Sequence, residues 1–252
     1  MKKKHLFLTV LSAIATMTMT SCIDNEDDKD NTYTLQNYFT IRGSYPNYKL
    51  YGDNGGIITP SVSSVNSMTG SKGFGDYQRA FFYMTYTAGN FTEATEASEA
   101  IIDNATLISG TLIDTREILD KDKAELNHVM DSDSIAYIND FSDAWAGRGY
   151  ITLIITSDYQ VDSTGVGIIP TAELVYDTTA IEENQITLLV CYNRHKTNQT
   201  LTGGITSFAT SYDATALSTL VPGTDNIKIT FVPAAGGSTK TLTVPRNYLK
   251  FE

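Results

Sequence analysis

The amino-acid sequence predicts an all-β protein, and three observations predict it. Stretches of alternating apolar and polar residues recur along the chain, glycine-bearing turn signals separate them, and amphipathic helical pattern is scarce. Short strands at this spacing argue for a sandwich or a barrel.

The first residues set the compartment. Lys2, Lys3 and Lys4 form a basic start, and residues 6–19 follow, apolar apart from threonines and Ser12. That run matches a signal-peptide core and falls short of the roughly 20 residues of a membrane-spanning helix. Small residues Thr20 and Ser21 then precede Cys22. Met19-Thr20-Ser21-Cys22 resembles a bacterial lipobox, although the first place there prefers Leu. The resemblance implies that residues 1–21 are a lipoprotein signal peptide. The Cys22 thiol would carry a thioether-linked lipid, and cleavage before Cys22 would free its amine for a further acyl chain such as palmitate. Each buried methylene adds about 0.8 kcal/mol of membrane affinity, so several chains together make a near-permanent anchor.

Residues 22–32 read as an acidic tether. Ile23-Asp24-Asn25-Glu26-Asp27-Asp28-Lys29-Asp30 has too little apolar area to pack a core. It resembles the acidic export signal after the lipidated cysteine of surface lipoproteins in Bacteroides-type bacteria. A plain spacer is the alternative. The expected location is the outer membrane, lipid-anchored, on the cell surface.

Charge and cysteine usage narrow the partners. The chain has 252 residues and a net charge of −11; removing residues 1–21, with their three lysines, leaves 231 residues at −14. Phosphate backbones are bound by Lys and Arg that displace counterions, so nucleic acid is not expected as a partner. Only Cys22 and Cys191 are present, so a lipidated Cys22 leaves Cys191 without a disulfide partner.

The mature chain is read as strands. Residues 81–86, Phe-Phe-Tyr-Met-Thr-Tyr, have the aromatic content of one. In residues 150–156, Ile151, Leu153 and Ile155 share a face opposite Tyr150, Thr152 and Thr156. Residues 186–192 are apolar on both faces, as a central strand is, while 227–231 and 241–244 alternate. Turns are expected at Gly55-Gly56, Ser71-Lys72-Gly73, Gly203-Gly204 and Gly236-Gly237. Residues 115–130 are the best helix candidate, a charged connector between two β-domains, and a short helix capped by Asp213 is expected up to Leu220.

Four segments, in order, resemble the NigD-like lipoproteins of Bacteroides-type bacteria. Residues 48–60 carry Asp53-Asn54-Gly55, like the family's strand, Asp-x-Gly turn and strand. Residues 75–86 are similar to its Gly-x-Arg turn and aromatic strand, and Trp145-Ala146-Gly147-Arg148-Gly149-Tyr150-Ile151 to its Trp-x-x-Gly-x-Tyr-Leu strand. Residues 189–196 followed by 204–208 complete the set. The resemblance implies an OB-like barrel at residues 33–115 and a β-sandwich at 135–252, joined by a connector at 116–134. It also implies a bacteriocin-immunity-like role.

Catalytic and metal chemistry have little footing. The mature chain has His128 and His195 only, without the paired spacing of a zinc site. His195 lies in the polar run Asn193-Arg194-His195-Lys196 with no Gly-x-Ser-x-Gly elbow, and is read as a turn residue. Cys191 follows Leu188-Leu189-Val190 and is read as a buried, inert thiol. The acidic clusters at 24–30 and 131–133 lack the ligand pattern of a calcium loop. No cofactor is expected.

The candidate ligand-binding residues are Tyr45, Tyr48, Tyr51 and Tyr77. Tyrosine offers a flat apolar face with a polar tip, suited to sugars or peptides, or to packing a barrel rim. Trp145, the one tryptophan, is read as a sandwich-core anchor. The expected function is a non-enzymatic, lipid-anchored binding module for a protein or glycan ligand. A fimbria-like structural subunit, a glycan-binding accessory protein and a secreted hydrolase are the alternatives.

Overall fold

A computed structural model of the chain describes residues 31–127, 139–168, 170–195, 200–235 and 238–251, with residues 139–143 described by their backbone alone. The leader, Cys22, the tether up to Asp30, His128, the acidic cluster at 131–133 and the Gly236-Gly237 turn lie outside them. The chain divides into two compact units, Met1–Ile113 and Asp114–Glu252. Both are built mainly of strands, and no helix among the described residues is long and apolar enough to cross a membrane.

The first unit contains β1 (Thr32–Ser44), β2 (Asn47–Gly52), β3 (Ile57–Pro60), helix α1 (Val62–Thr69), β4 (Arg79–Thr87), the two-residue β5 (Phe91–Thr92) and the start of β6 (Ile101–Asp120). β1 pairs antiparallel with β4 through Thr32–Thr40 and with β2 through Phe39–Ser44. β2 continues antiparallel to β3, β3 runs parallel to β6, and β6 returns antiparallel to β4. The pairings therefore close a ring of five strands, with α1 between the third and fourth, which is the OB-like half of the fold.

Period-two patterning explains what fills the ring. Along β4, Ala80, Phe82, Met84 and Tyr86 are buried, while Phe81, Tyr83 and Thr85 point outward. Phe39 and Ile41 of β1, Leu50 of β2 and Ile102 and Leu107 of β6 meet them in one core. Each fully buried Phe or Leu contributes about 1.5–3 kcal/mol relative to exposure. Gly110 of β6 is required here, because a Cβ at that position would stand 2.3 Å from Phe82 Cδ1.

Among the described residues of this unit, an ion pair is buried. The Arg79 guanidinium at the start of β4 donates to Asp53 in the β2–β3 turn at 2.6 and 2.5 Å, and to Thr40 Oγ1 of β1 at 2.8 Å. The two charged side chains are 0% and 2% exposed. The fork-to-fork geometry repays desolvation that a loose pair would not.

The second unit begins with the end of β6. Helix α2 (Lys121–Leu126), β7 (Asn139–Gly147), β8 (Tyr150–Val161), β9 (Gly167–Ile168), β10 (Thr171–Tyr176), β11 (Gln185–Asn193), β12 (Leu201–Asp213), helix α3 (Leu217–Leu220), β13 (Ile227–Pro233) and β14 (Lys240–Val244) follow. β7, β8 and β12 form one sheet, joined by β9 and by Asp114–Glu117 of β6. β10, β11, β13 and β14 form the other, joined by Ile118–Asp120 of β6. Ile151, Leu153 and Ile155 from the first sheet pack with Leu174, Leu188, Val190, Ile229 and Phe231 from the second in a single core, as in a sandwich. β11 is central, and its other face is covered: Cys191 and Leu189 lie against Ala124 of α2.

Four local expectations are corrected. Residues 115–120 are strand, and the helix is confined to Lys121–Leu126. Charged residues in that strand pair across the sheet, Arg116 with Glu173, so its polarity mimics a surface helix. Gly203-Gly204 lies inside β12 as a bulge, shown by a register shift between Thr202 and Gly204, where glycine lets the strand bend. Asp213 accepts from the Thr215 amide in a turn before α3 rather than capping the helix itself. Trp145 is not in the core: Ala144 and Ala146 take the inward positions of β7, which sends the tryptophan to the opposite face, half-buried.

Asp53→Asn should leave the buried Arg79 charge uncompensated and lower unfolding stability by about 3–5 kcal/mol in urea denaturation. An Asp53→Leu/Arg79→Met double variant should recover most of that loss.

Candidate functional site

The four singled-out tyrosines do not form one surface. Tyr45, in the β1–β2 turn, is 41% exposed, and Tyr77, in the loop before β4, is 48% exposed. Tyr48 is buried: its hydroxyl accepts from the Phe74 amide at 3.0 Å, and the two rings lie 4.6 Å apart. It holds the 70–78 loop down rather than meeting a ligand. Tyr51 alternates with the buried Leu50 and so faces away from the ring interior.

A cleft of about 440 Å³ opens beside that loop. Its walls are Met68 at the end of α1, Lys72, Phe74 and Tyr77 from the loop, Phe82 of β4 and Leu112 of β6. Phe74 and Phe82 are buried with ring centroids 5.3 Å apart, so the floor is aromatic and fixed. Tyr77 and Lys72 put a phenol and an ammonium at the mouth. Tyr45 lies against the same loop, since a Cβ on Gly73 would come within 3.2 Å of its own. An apolar pocket with few polar groups at its rim is the usual form of a ligand site.

Tyr77 is the one sequence-selected residue that lines this cleft. Met68, Lys72, Phe74, Phe82 and Leu112 were missed because α1 was not foreseen. Ser61 does cap it, accepting from the Ser64 amide at 3.3 Å, and Gly70 ends it in the left-handed region at φ 60°. Those two end signals flank a run of Val, Ser, Asn and Thr, poor helix formers that hide it.

The other candidates sit apart. His195, exposed at the end of β11, takes φ 54°; its amide donates to Asn193 Oδ1 at 2.7 Å and its Nε2 lies 3.2 Å from Thr171 Oγ1. Arg194 pairs with Asp158 at 2.5 Å. Burial outweighs the adjacent Arg116 and pushes the Glu173 carboxyl up. Among the described residues no group of three His, Cys, Asp or Glu could hold a metal ion.

Burial, reinforced by Glu173, pushes the Cys191 thiol up to about 11. An unfolded thiol ionises near 9.0, so keeping Cys191 protonated stabilises the fold below that value, and the contribution is lost as pH rises from about 9 to 11. Native Cys191 should resist iodoacetamide at pH 8 and react once unfolded, and Cys191→Ala should flatten the decline in melting temperature between pH 9 and 11.

No protein-family model matches the chain, and no curated protein matches it in sequence. Solved structures do. A Bacteroides vulgatus protein of unknown function, DUF1344, aligns with TM-score 0.53 and 16% identity over 84% of this chain and 90% of its own. A candidate lipoprotein from Bacteroides fragilis aligns with TM-score 0.51 and 12% identity over 83% and 96%. A NigD-like immunity protein from Bacteroides caccae aligns with TM-score 0.49 and 16% identity over 82% and 87%. The fold is therefore shared, over more than four fifths of this chain, with the Bacteroides vulgatus and Bacteroides fragilis proteins.

Proposed function

We propose that the protein is a lipid-anchored binding module of the outer membrane, held through Cys22 and facing outward, which receives an apolar side chain of a partner protein in the Met68–Phe74–Tyr77–Leu112 cleft and catalyses no reaction. The observation that carries this is the position of the cleft along β1. Thr32, at the start of that strand, stands ten residues after Cys22 and pairs with Thr87. The cleft loop is held by Tyr48, whose partner in the ladder is Gly43, near the other end of β1. Eleven residues of strand span roughly 35 Å. The anchor would thus hold one end of β1 to the lipid, with the cleft floor at Phe82 beside Asn37 in mid-strand and the cleft loop toward the other end.

An aromatic floor beneath a phenol and an ammonium suits a Tyr, Trp or Leu side chain better than a sugar, whose hydroxyls need several convergent polar partners. By the sequence resemblance, the partner would be a bacteriocin-like protein that the cell must neutralise. The lipoprotein assignment of the Bacteroides fragilis structural neighbour is consistent with the anchor.

Titration with p-cresol and with indole, as stand-ins for Tyr and Trp side chains, should shift NMR resonances of Met68, Phe74, Tyr77 and Leu112. Tyr77→Ala should weaken the effect several-fold without changing the melting temperature. Shifts elsewhere, or none, would remove the cleft from the account.

A further inference from the structure

We propose, resting on the reading of the cleft just given, that the partner segment is acidic: carboxylates flank the side chain that enters the cleft, and Arg42, Lys49 and Lys72 receive them. Charge is sorted within the first unit. Among its described residues, Asp53 is held by Arg79 in the buried pair. Glu93, Glu96, Glu99 and Asp103 all fall between the end of β4 and the first residues of β6. Arg42, Lys49 and Lys72 belong to the β1–β2 hairpin and the loop that builds the cleft, with Asp76 as the one carboxylate on that loop. Three cations against one carboxylate leave +2 there, in a chain of net charge −11.

The fold brings these cations together. Arg42 and Lys49 are direct partners in the β1–β2 ladder, and both turn outward because Ile41 and Leu50 beside them are buried. Directly opposed side chains have Cβ atoms roughly 5 Å apart, and like charges placed so weaken a hairpin. The pair is therefore not a device for stability. The cleft loop touches the hairpin near both of its ends. A Cβ on Gly73 would lie 3.2 Å from that of Tyr45 in the hairpin turn, and the Gln78 carbonyl accepts from the Ile41 amide at 2.8 Å. Lys72 and Tyr77, at the cleft mouth, ride on that loop. Lys121 and Lys123 of the second unit hold Asp177 and Glu117, whereas among the described residues Lys49 and Lys72, both exposed, hold no carboxylate.

Charge complementarity selects an anionic occupant, and the size of the charge selects its kind. A patch of +2 on a strongly acidic chain matches two or three carboxylates of one peptide segment. A polyanion or an anionic lipid surface would bring many more charges against the rest of the molecule, which repels them. A protein segment also supplies the apolar side chain that the aromatic floor of the cleft accommodates.

The full chain, solubilised in a neutral detergent, is titrated into fluorescently labelled Glu-Asp-Tyr-Asp-Glu and into its amide isostere Gln-Asn-Tyr-Asn-Gln, with anisotropy as the readout. The acidic peptide should bind roughly tenfold more tightly at low salt, and the difference should fade as salt is raised. Lys49→Gln should weaken the acidic peptide roughly threefold and leave the isostere alone. Lys228→Gln, which removes the same charge from the second unit, should change neither. Lys49→Glu should abolish the preference without lowering the melting temperature, because a carboxylate then faces Arg42 across the ladder. Equal affinity for the two peptides, or a preference that survives Lys49→Glu, would overturn the proposal. So would displacement of the acidic peptide by dioctanoyl phosphatidylglycerol as readily as by unlabelled peptide, which would assign the cations to a lipid headgroup. Equal affinities alongside p-cresol shifts at Phe74 and Leu112 would sink the acidic selection and leave the cleft standing. A Lys49-dependent preference with no shift at those two residues would uphold the acidic selection and remove the cleft.

Discussion

The first unit depends on the buried pair of Arg79 and Asp53. It joins three strands that are distant in sequence: Asp53 belongs to the turn after β2, Thr40 to the middle of β1, and Arg79 opens β4. A guanidinium cannot shed its charge, so once the ring closes around it the carboxylate must be in place. The pair therefore fixes how β4 enters the ring. The loop that delivers Arg79, residues 70–78, is the loop that builds the cleft. Position of the ion pair and position of the cleft are one constraint, reinforced by the Tyr48 hydroxyl that accepts from Phe74.

The second unit solves a different problem with less polar means. Its core is the meeting of inward residues from two sheets, among them two fully buried tyrosines whose hydroxyls reach backbone carbonyls: Tyr212 donates to Ala172 O and Tyr192 to Asp158 O, both at 2.8 Å. Arg246 locks the chain end, donating to the carbonyls of Ser218, Val221, Pro222 and Asp225 and to Asn184 Oδ1. That use of every face of one guanidinium explains how a unit without disulfides holds a long loop after α3.

Strand content was legible because alternation survives in the sequence wherever one face is buried, as in 150–156 and 227–231. Two kinds of feature were not. Residues 115–120 carry Arg116 and Glu117 in a strand, where the charges are paired or exposed and so do not report on period. Trp145 was misplaced because composition shows a tryptophan but not which side of β7 its alanine neighbours occupy. The cleft was legible only at Tyr77, since it is assembled from α1, a loop, β4 and β6, and only register brings those together. Asp53-Asn54-Gly55 and the segment from Gly75 to Arg79 stood out separately; that Asp53 binds Arg79 is a fact of topology.

The account joins an anchored end of β1 to a cleft built on other elements of the same unit, and a single label tests the joint. With Cys191 buried, and with Cys22 occupied by lipid under the proposed anchor, a Tyr77→Cys variant offers one reactive thiol, at the mouth of the cleft. A membrane-impermeant maleimide added to intact cells should label it as fully as in lysed cells. Labelling that appears only after the outer membrane is opened would contradict an outward-presented cleft.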